Sequence, residues 1–259
     1  MKKLYLIAAI LVIMILAVSV MATGAMSVPK DKVKHKDKIV LIHYKKGHAK
    51  PTCNNNGICE PELGEKKNCA DCKNGGNGGG ESTCYKFLAK GVKWKDLPVD
   101  YVIHPDLDAG AISAGAEEWD SHTSANLVGS YSIDNGATWD DKIPDYRNEM
   151  VFGDYNQAGV IAVTIIWGYF HGKPETREIT EFDILFDTDF TWGDATKDPS
   201  VMDLQNIATH EFGHGFGLGD LYETSCIEET MYGYSTEGET SKRDLNAGDI
   251  AGIQELYGA

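Results

Sequence analysis

The chain has 259 residues, a formal net charge of -15, and 42% hydrophobic against 24% charged residues. That length suffices for one well-buried domain with a small appendage. So negative a field excludes nucleic acid as a partner. The charge is unevenly spread, because residues 28–51 hold eight Lys against two Asp. A basic segment therefore leads into an acidic body, whose acidity reads as a solubility feature, with Ca2+ binding as the alternative.

From the start of the chain, Lys2 and Lys3 precede an apolar run from Leu4 to about Met21, followed by the small residues Ala22, Gly24 and Ala25. This is the pattern of an export signal over residues 1–25. The run is also nearly long enough to span a bilayer, so two readings stay open: a cleaved signal or an uncleaved N-terminal anchor. Either exports the body. Residues 26–52 read as a basic stalk, a spacer or part of a pro-segment, with one short apolar run, Ile39–Ile42, and no chemistry of its own. Residues 53–72, CNNNGICEPELGEKKNCADC, carry four Cys among turn formers and few apolar residues. In an oxidising compartment, that is a small module stapled by disulfides between Cys53, Cys59, Cys69 and Cys72, and their pairing is left open. Glycines crowd the linker at 73–83, which sets a boundary before a main domain at 84–259.

Within that domain, short strands are expected at Tyr101–His104, Leu127–Ile133 and Met150–Phe152. Gly159–Tyr169 is β-branched throughout and reads as a buried strand. Ile179–Asp187 alternates apolar and acidic residues and reads as a half-exposed strand. Helices are expected at Ala109–Trp119, Val201–Leu218 and Asn246–Tyr257. Together these give an α+β fold: a twisted mixed sheet with a long helix and a C-terminal helix packed on it.

The chemistry lies in Thr209–Asp220, THEFGHGFGLGD. His210 and His214 are four residues apart, so a helix puts both imidazoles on one face, where they can share a Zn2+ ion. Glu211 sits beside the first ligand, placed to serve as general base. A catalytic zinc needs a third protein ligand and an open position. Gly217 breaks the helix and lets the chain turn back, which brings Asp220 within reach as that ligand. His-Glu-x-x-His alone arises by chance in roughly one chain in fifty, and the added Gly217 and Asp220 make coincidence far rarer.

His210, Glu211, His214, Gly217 and Asp220 together resemble the extended zinc signature of the metzincin metalloproteases. Asp in the last place, where most metzincins have His, resembles the bacterial snapalysins. LQNIATHEFGHGFGL and NAGDIAGIQELYG are similar to matrixin segments, and the likeness runs roughly from Lys86 to Gly258. The resemblance implies a zinc endopeptidase acting on extended polypeptides, secreted or surface-anchored, and a monomer with protein substrates. It also implies that Met231, in ETMYG, forms the structural turn beneath the metal. Three departures stand out: Asp220 in place of His, Gly233 where matrixins usually place Pro, and no matrixin-type cysteine switch before the domain.

Cys84 and Cys226 are candidates for a bridge bracing the loop after Asp220. Asp187 and Asp189 read as a solvated turn, with calcium as the alternative. His104, His122 and His171 read as surface histidines, His171 also being the fallback ligand if Asp220 is not one. An exposed edge strand should pair with peptide substrate, and Ile179–Asp187 is the candidate. Two rivals remain. One is a non-catalytic peptide-binding or adhesion module on the same fold, and the other is a different zinc hydrolase such as an amidase.

Overall fold

The computed structural model describes residues 36–48 and 84–259, all within one compact unit, His35–Ala259. The signal or anchor, the Cys-rich module and the Gly-rich linker lie outside the described residues. Among the described residues no helix is long and apolar enough to cross a membrane.

The first strand, β1 (Asp37–Lys45), comes from the segment expected to be a stalk. It is followed by β2 (Val99–Ile103), helix α1 (Ala109–Asp120), β3 (Val128–Ile133), β4 (Glu149–Gly153), β5 (Val160–Tyr169) and β6 (Glu178–Asp187). Then come the short β7 (Trp192–Gly193) and β8 (Met202–Asp203), helix α2 (Leu204–Gly215), β9 (Tyr234–Ser235) and helix α3 (Ala247–Tyr257). Seven strands join in the order β3-β2-β4-β6-β5-β1-β9. The β2/β3, β2/β4 and β4/β6 pairs are parallel, while β5 runs antiparallel to β6. The result is the expected α+β architecture: a mixed sheet carrying helices on its core face.

That core joins Ile103, Met150, Ile166, Phe182 and Phe186 of the sheet to Ile112, Trp119, Ile207, Phe212 and Phe216 of the helices. Helices α1 and α2 approach closely because Gly115 has no side chain. A Cβ there would sit 2.8 Å from the Thr209 amide nitrogen. Trp119, fully buried, satisfies its indole N–H on the Thr209 carbonyl at 2.7 Å, as a buried Trp must. These contacts set the height of the α2 turn that carries His210.

One expectation is corrected. Strand β6 is not the free edge of the sheet, since β4 and β5 flank it and Glu181–Asp187 is buried throughout. The alternation of acidic and apolar residues misled, because its acids are buried and bonded rather than solvated. Asp183 accepts the Glu149 and Asp140 amides at 3.0 and 3.2 Å. Glu181 accepts the amides of Asp145 and Tyr146. Asp187 accepts the Asp189 amide at 2.8 Å and the Tyr155 amide at 3.3 Å, so this pair forms a turn.

Burial pushes Glu149 and Glu181 up to about 7 and Asp183 up to about 8. Each folded-state value exceeds the ordinary carboxylate value. Between about pH 4 and pH 8 the folded state thus holds protons that the unfolded chain has released, and stability falls as pH rises. The thermal midpoint is expected to drop by several degrees from pH 6 to pH 8, and Asp183→Asn should flatten that fall. Scanning fluorimetry across this range, with an unchanged slope in the variant, would refute the assignment to Asp183.

Candidate active site

Helix α2 begins where the Asp203 side chain accepts the Asn206 amide at 2.8 Å, a capping bond that satisfies one orphan donor. It ends in a Schellman turn: the Gly217 amide bonds the His214 carbonyl and the Leu218 amide the Gly213 carbonyl, both at 2.9 Å. Gly217 has φ +106, and a Cβ there would meet the Val92 carbonyl oxygen at 2.4 Å. Only glycine fits, so this residue turns the chain back toward the helix face.

The turn brings Asp220 to the two histidines. Its Oδ1 lies 3.2 Å from His210 Nε2 and 3.4 Å from His214 Nε2, and all three side chains are buried. His210 donates Nδ1–H to the Thr230 carbonyl at 2.7 Å, and His214 donates its own to the Leu218 carbonyl at 2.9 Å. Both Nε2 atoms are then left with lone pairs, aimed at a carboxylate oxygen that also has only lone pairs. His210 Nε2 and Asp220 Oδ1 have no hydrogen-bond partner although buried. Three acceptors converging without donors is a donor set made for a cation, and two imidazoles with one carboxylate suit zinc. The histidine-to-carbonyl bonds are the outer contacts that fix ring orientation in such sites. Tyr222 plays the same part for the carboxylate, donating to Asp220 Oδ2 at 2.9 Å.

Glu211 is buried on the same helix with both carboxylate oxygens engaged. Thr164 of β5 donates to Oε2 at 2.5 Å. On Oε1 sits Nδ1 of His43, at 3.0 Å. Burial alone would raise the Glu211 pKa. The His43 hydrogen bond and the nearby His210 and His214 outweigh it and hold the carboxyl below its usual range. His43, fully buried, is pushed down to about 4, chiefly by burial. It is therefore neutral, donating to Glu211 through Nδ1 and accepting at Nε2 from Ser235 Oγ, 3.1 Å away. Ser235 in turn accepts from the buried Lys242 ammonium at 2.7 Å.

The loop after Asp220 is held from three sides. A Cys84–Cys226 disulfide with Cα atoms 5.4 Å apart ties it to the start of the domain. The Leu221 amide bonds the Met231 carbonyl, and the Gly233 amide bonds the Leu221 carbonyl. Asp249 of α3 accepts the Thr230 and Met231 amides at 2.6 and 3.1 Å. Met231 itself is buried under α2: a Cβ on Gly213 would lie 2.3 Å from its Sδ and 2.6 Å from the Trp119 ring. The C-terminal helix thus braces the methionine turn, and the turn supplies the carbonyl that orients His210.

The structure brings His210, Glu211, His214, Asp220 and Met231 together around the turn at Gly217. It leaves His104, His122 and His171 apart. His171 is 89% exposed, His104 accepts the Asp106 amide, and His122 pairs with Glu118 on α1. His43 was missed. Its one sequence signal was an isolated His ending an apolar run in a Lys-rich stretch, which nothing in the pattern linked to residues about 170 positions later.

A family model described as Matrixin matches residues 170–258. Human matrix metalloproteinase-25 is 38% identical over 76 residues, covering 29% of this chain and 13% of its own length. Soybean metalloendoproteinase 1 is 44% identical over 78 residues, covering 28% and 24%. Horse stromelysin-1 is 39% identical over 77 residues, covering 29% and 15%. The chain therefore spans less than a quarter of the length of these relatives.

Proposed function

From the premise that this chain carries a matrixin-like metzincin domain, we propose that it is a zinc-dependent endopeptidase of the cell exterior. The observation that carries this reading is the convergence of His210 Nε2, His214 Nε2 and Asp220 Oδ1, with the Glu211 carboxylate on the adjacent turn of the same helix. His210, His214 and Asp220 hold the zinc. Bound there, it supplies a Lewis acid that acidifies a water molecule and polarises the scissile carbonyl. Glu211 takes the proton of the attacking water and delivers it to the leaving amine. Thr164 holds one oxygen of Glu211 and so fixes which lone pair faces the reacting atoms. Tyr222 keeps Asp220 aimed at the two histidines.

An aspartate as third ligand, as in snapalysins, makes the site more negative than three histidines would. The substrate is an extended polypeptide. Export rests on the N-terminal segment, and the Cys84–Cys226 disulfide suits an oxidising compartment.

The experiment is incubation of the chain, before and after limited proteolysis, with a peptide mixture read by mass spectrometry. Internal cleavages that stop with a zinc chelator and return with zinc are expected. Zinc binding without cleavage in either form would refute the reading and favour a non-catalytic peptide-binding module.

A further inference from the structure

As a third ligand, a carboxylate differs from an imidazole in bringing two oxygens to the metal. A catalytic zinc keeps one position open beside its protein ligands. Asp220 must therefore present one oxygen and hold the other back. The structure treats its two oxygens differently. Oδ1 lies 3.2 Å from His210 Nε2 and 3.4 Å from His214 Nε2 and has no hydrogen-bond partner. Oδ2 accepts the Tyr222 hydroxyl at 2.9 Å. The Tyr222 ring is buried and packs T-shaped on Tyr234 with centroids 5.4 Å apart. It also lies against Gly233, where a Cβ would fall 2.4 Å from ring carbon Cε1, 2.7 Å from Cζ and 2.8 Å from the hydroxyl oxygen. Unlike Gly217, Gly233 does not have a left-handed backbone, so its φ does not call for glycine. Its amide donates to the Leu221 carbonyl at 2.9 Å, which bars proline, and the Tyr222 ring bars any other side chain.

Resting on the zinc endopeptidase reading, we infer that Asp220, Tyr222 and Gly233 act as one unit: Gly233 admits the Tyr222 ring, whose hydroxyl holds Oδ2, so that Asp220 offers the metal Oδ1 and the open position stays free for water.

Tyr222 and Gly233 are positioning residues in this account, since both act through Asp220. The backbone makes the coupling direct. The Leu221 amide bonds the Met231 carbonyl at 2.8 Å, and Leu221 bridges Tyr232 in parallel, so the chain bearing Asp220 and Tyr222 is zipped to the turn bearing Gly233. The unit joins two departures from the matrixin pattern, Asp220 for His and Gly233 for Pro, under one cause. A histidine ligand has one nitrogen to offer and needs no such restraint. An aspartate does, and Tyr222 two residues on supplies it. The restraint also bears on the ion. Ca2+ gathers many oxygens and often takes both from one carboxylate, whereas zinc of this type binds few ligands and takes nitrogen readily. A carboxylate turned to one oxygen beside two imidazoles favours zinc.

The test uses the full chain, with Co2+ in place of Zn2+ to report ligand number, because four-coordinate Co2+ absorbs visible light more strongly than Co2+ of higher coordination. Zinc affinity by chelator competition, peptide kinetics and the thermal midpoint of the metal-free protein are measured beside it. Tyr222→Phe keeps the ring and removes the hydroxyl. We expect it to weaken the cobalt absorption, lower zinc affinity by ~10-fold and reduce kcat more than it raises KM, with the metal-free midpoint unchanged. Gly233→Ala, which displaces the ring, should alter the cobalt spectrum and zinc affinity in the same way. With Tyr222→Ala already in place the ring is gone, and Gly233→Ala should add nothing. With Asp220→His in place no second oxygen remains, and Tyr222→Phe should leave cobalt spectrum and zinc affinity as they are. A cobalt spectrum and zinc affinity that Tyr222→Phe does not move would overturn the unit, as would additive losses from Tyr222→Ala and Gly233→Ala. The expected shifts in a protein that binds zinc but cleaves no peptide would uphold the unit and overturn the endopeptidase.

Discussion

Replacing Glu211 by Ala is expected to lower peptide cleavage by the protein by about 10³-fold, within the usual range for loss of a general base, with zinc content unchanged. The reasoning is geometric. His210 and His214 keep their carbonyl partners, and Asp220 keeps Tyr222, so nothing that orients the ligands depends on Glu211. The variant removes the proton acceptor and leaves the metal donors. It has a second consequence: His43 loses its partner, and β1 should exchange faster. Glu211→Gln keeps an oxygen for His43 and should retain that contact while losing the chemistry. Metal analysis and single-substrate kinetics on both variants check this. Substantial cleavage by purified Glu211→Ala protein would remove Glu211 from its role.

For Asp220→Ala the expected result is a loss of zinc affinity of at least ~100-fold, beyond what removal of an outer contact costs. Two neutral imidazoles remain, and Tyr222 loses the carboxylate it serves. Asp220→His should recover most of the affinity, since it supplies a third nitrogen at the same turn. Competition with a chromophoric chelator measures all three proteins. Unchanged affinity in Asp220→Ala would exclude this residue from the ligand set. His171 would not then replace it, because it stands exposed near Asp37 rather than near the helix.

Local sequence carried the ligand helix far because its rules are local. His210 and His214 one turn apart and Gly217 as the left-handed stop are properties of a few consecutive residues, whereas the start, expected at Val201, falls at Leu204 with Asp203 as its cap. The structure adds only that Asp220 points inward and that Tyr222 holds it. Secondary structure from Tyr101 to Tyr257 was likewise legible, since β-branched runs and helical spacing dominate there. The half-exposed reading of Ile179–Asp187 failed for a different reason. Alternating acids signal exposure only if water is their partner, and Asp183 and Glu181 instead receive amides from the segment before β4 and from β4 itself.

What the sequence by itself determined is the zinc-type motif and the α+β class, with Cys84 and Cys226 as candidates for a bridge that the structure then closed. What only the tertiary structure decided is the company these residues keep. Asp249 reaches back to the methionine turn, Thr164 crosses from β5 to Glu211, and His43 arrives from a stretch that showed only a Lys-rich composition. The physical reason is that strand pairing is non-local: backbone amides accept any extended partner. Ile39–Ile42 could have been a spacer until the free edge of β5 was in place to receive it.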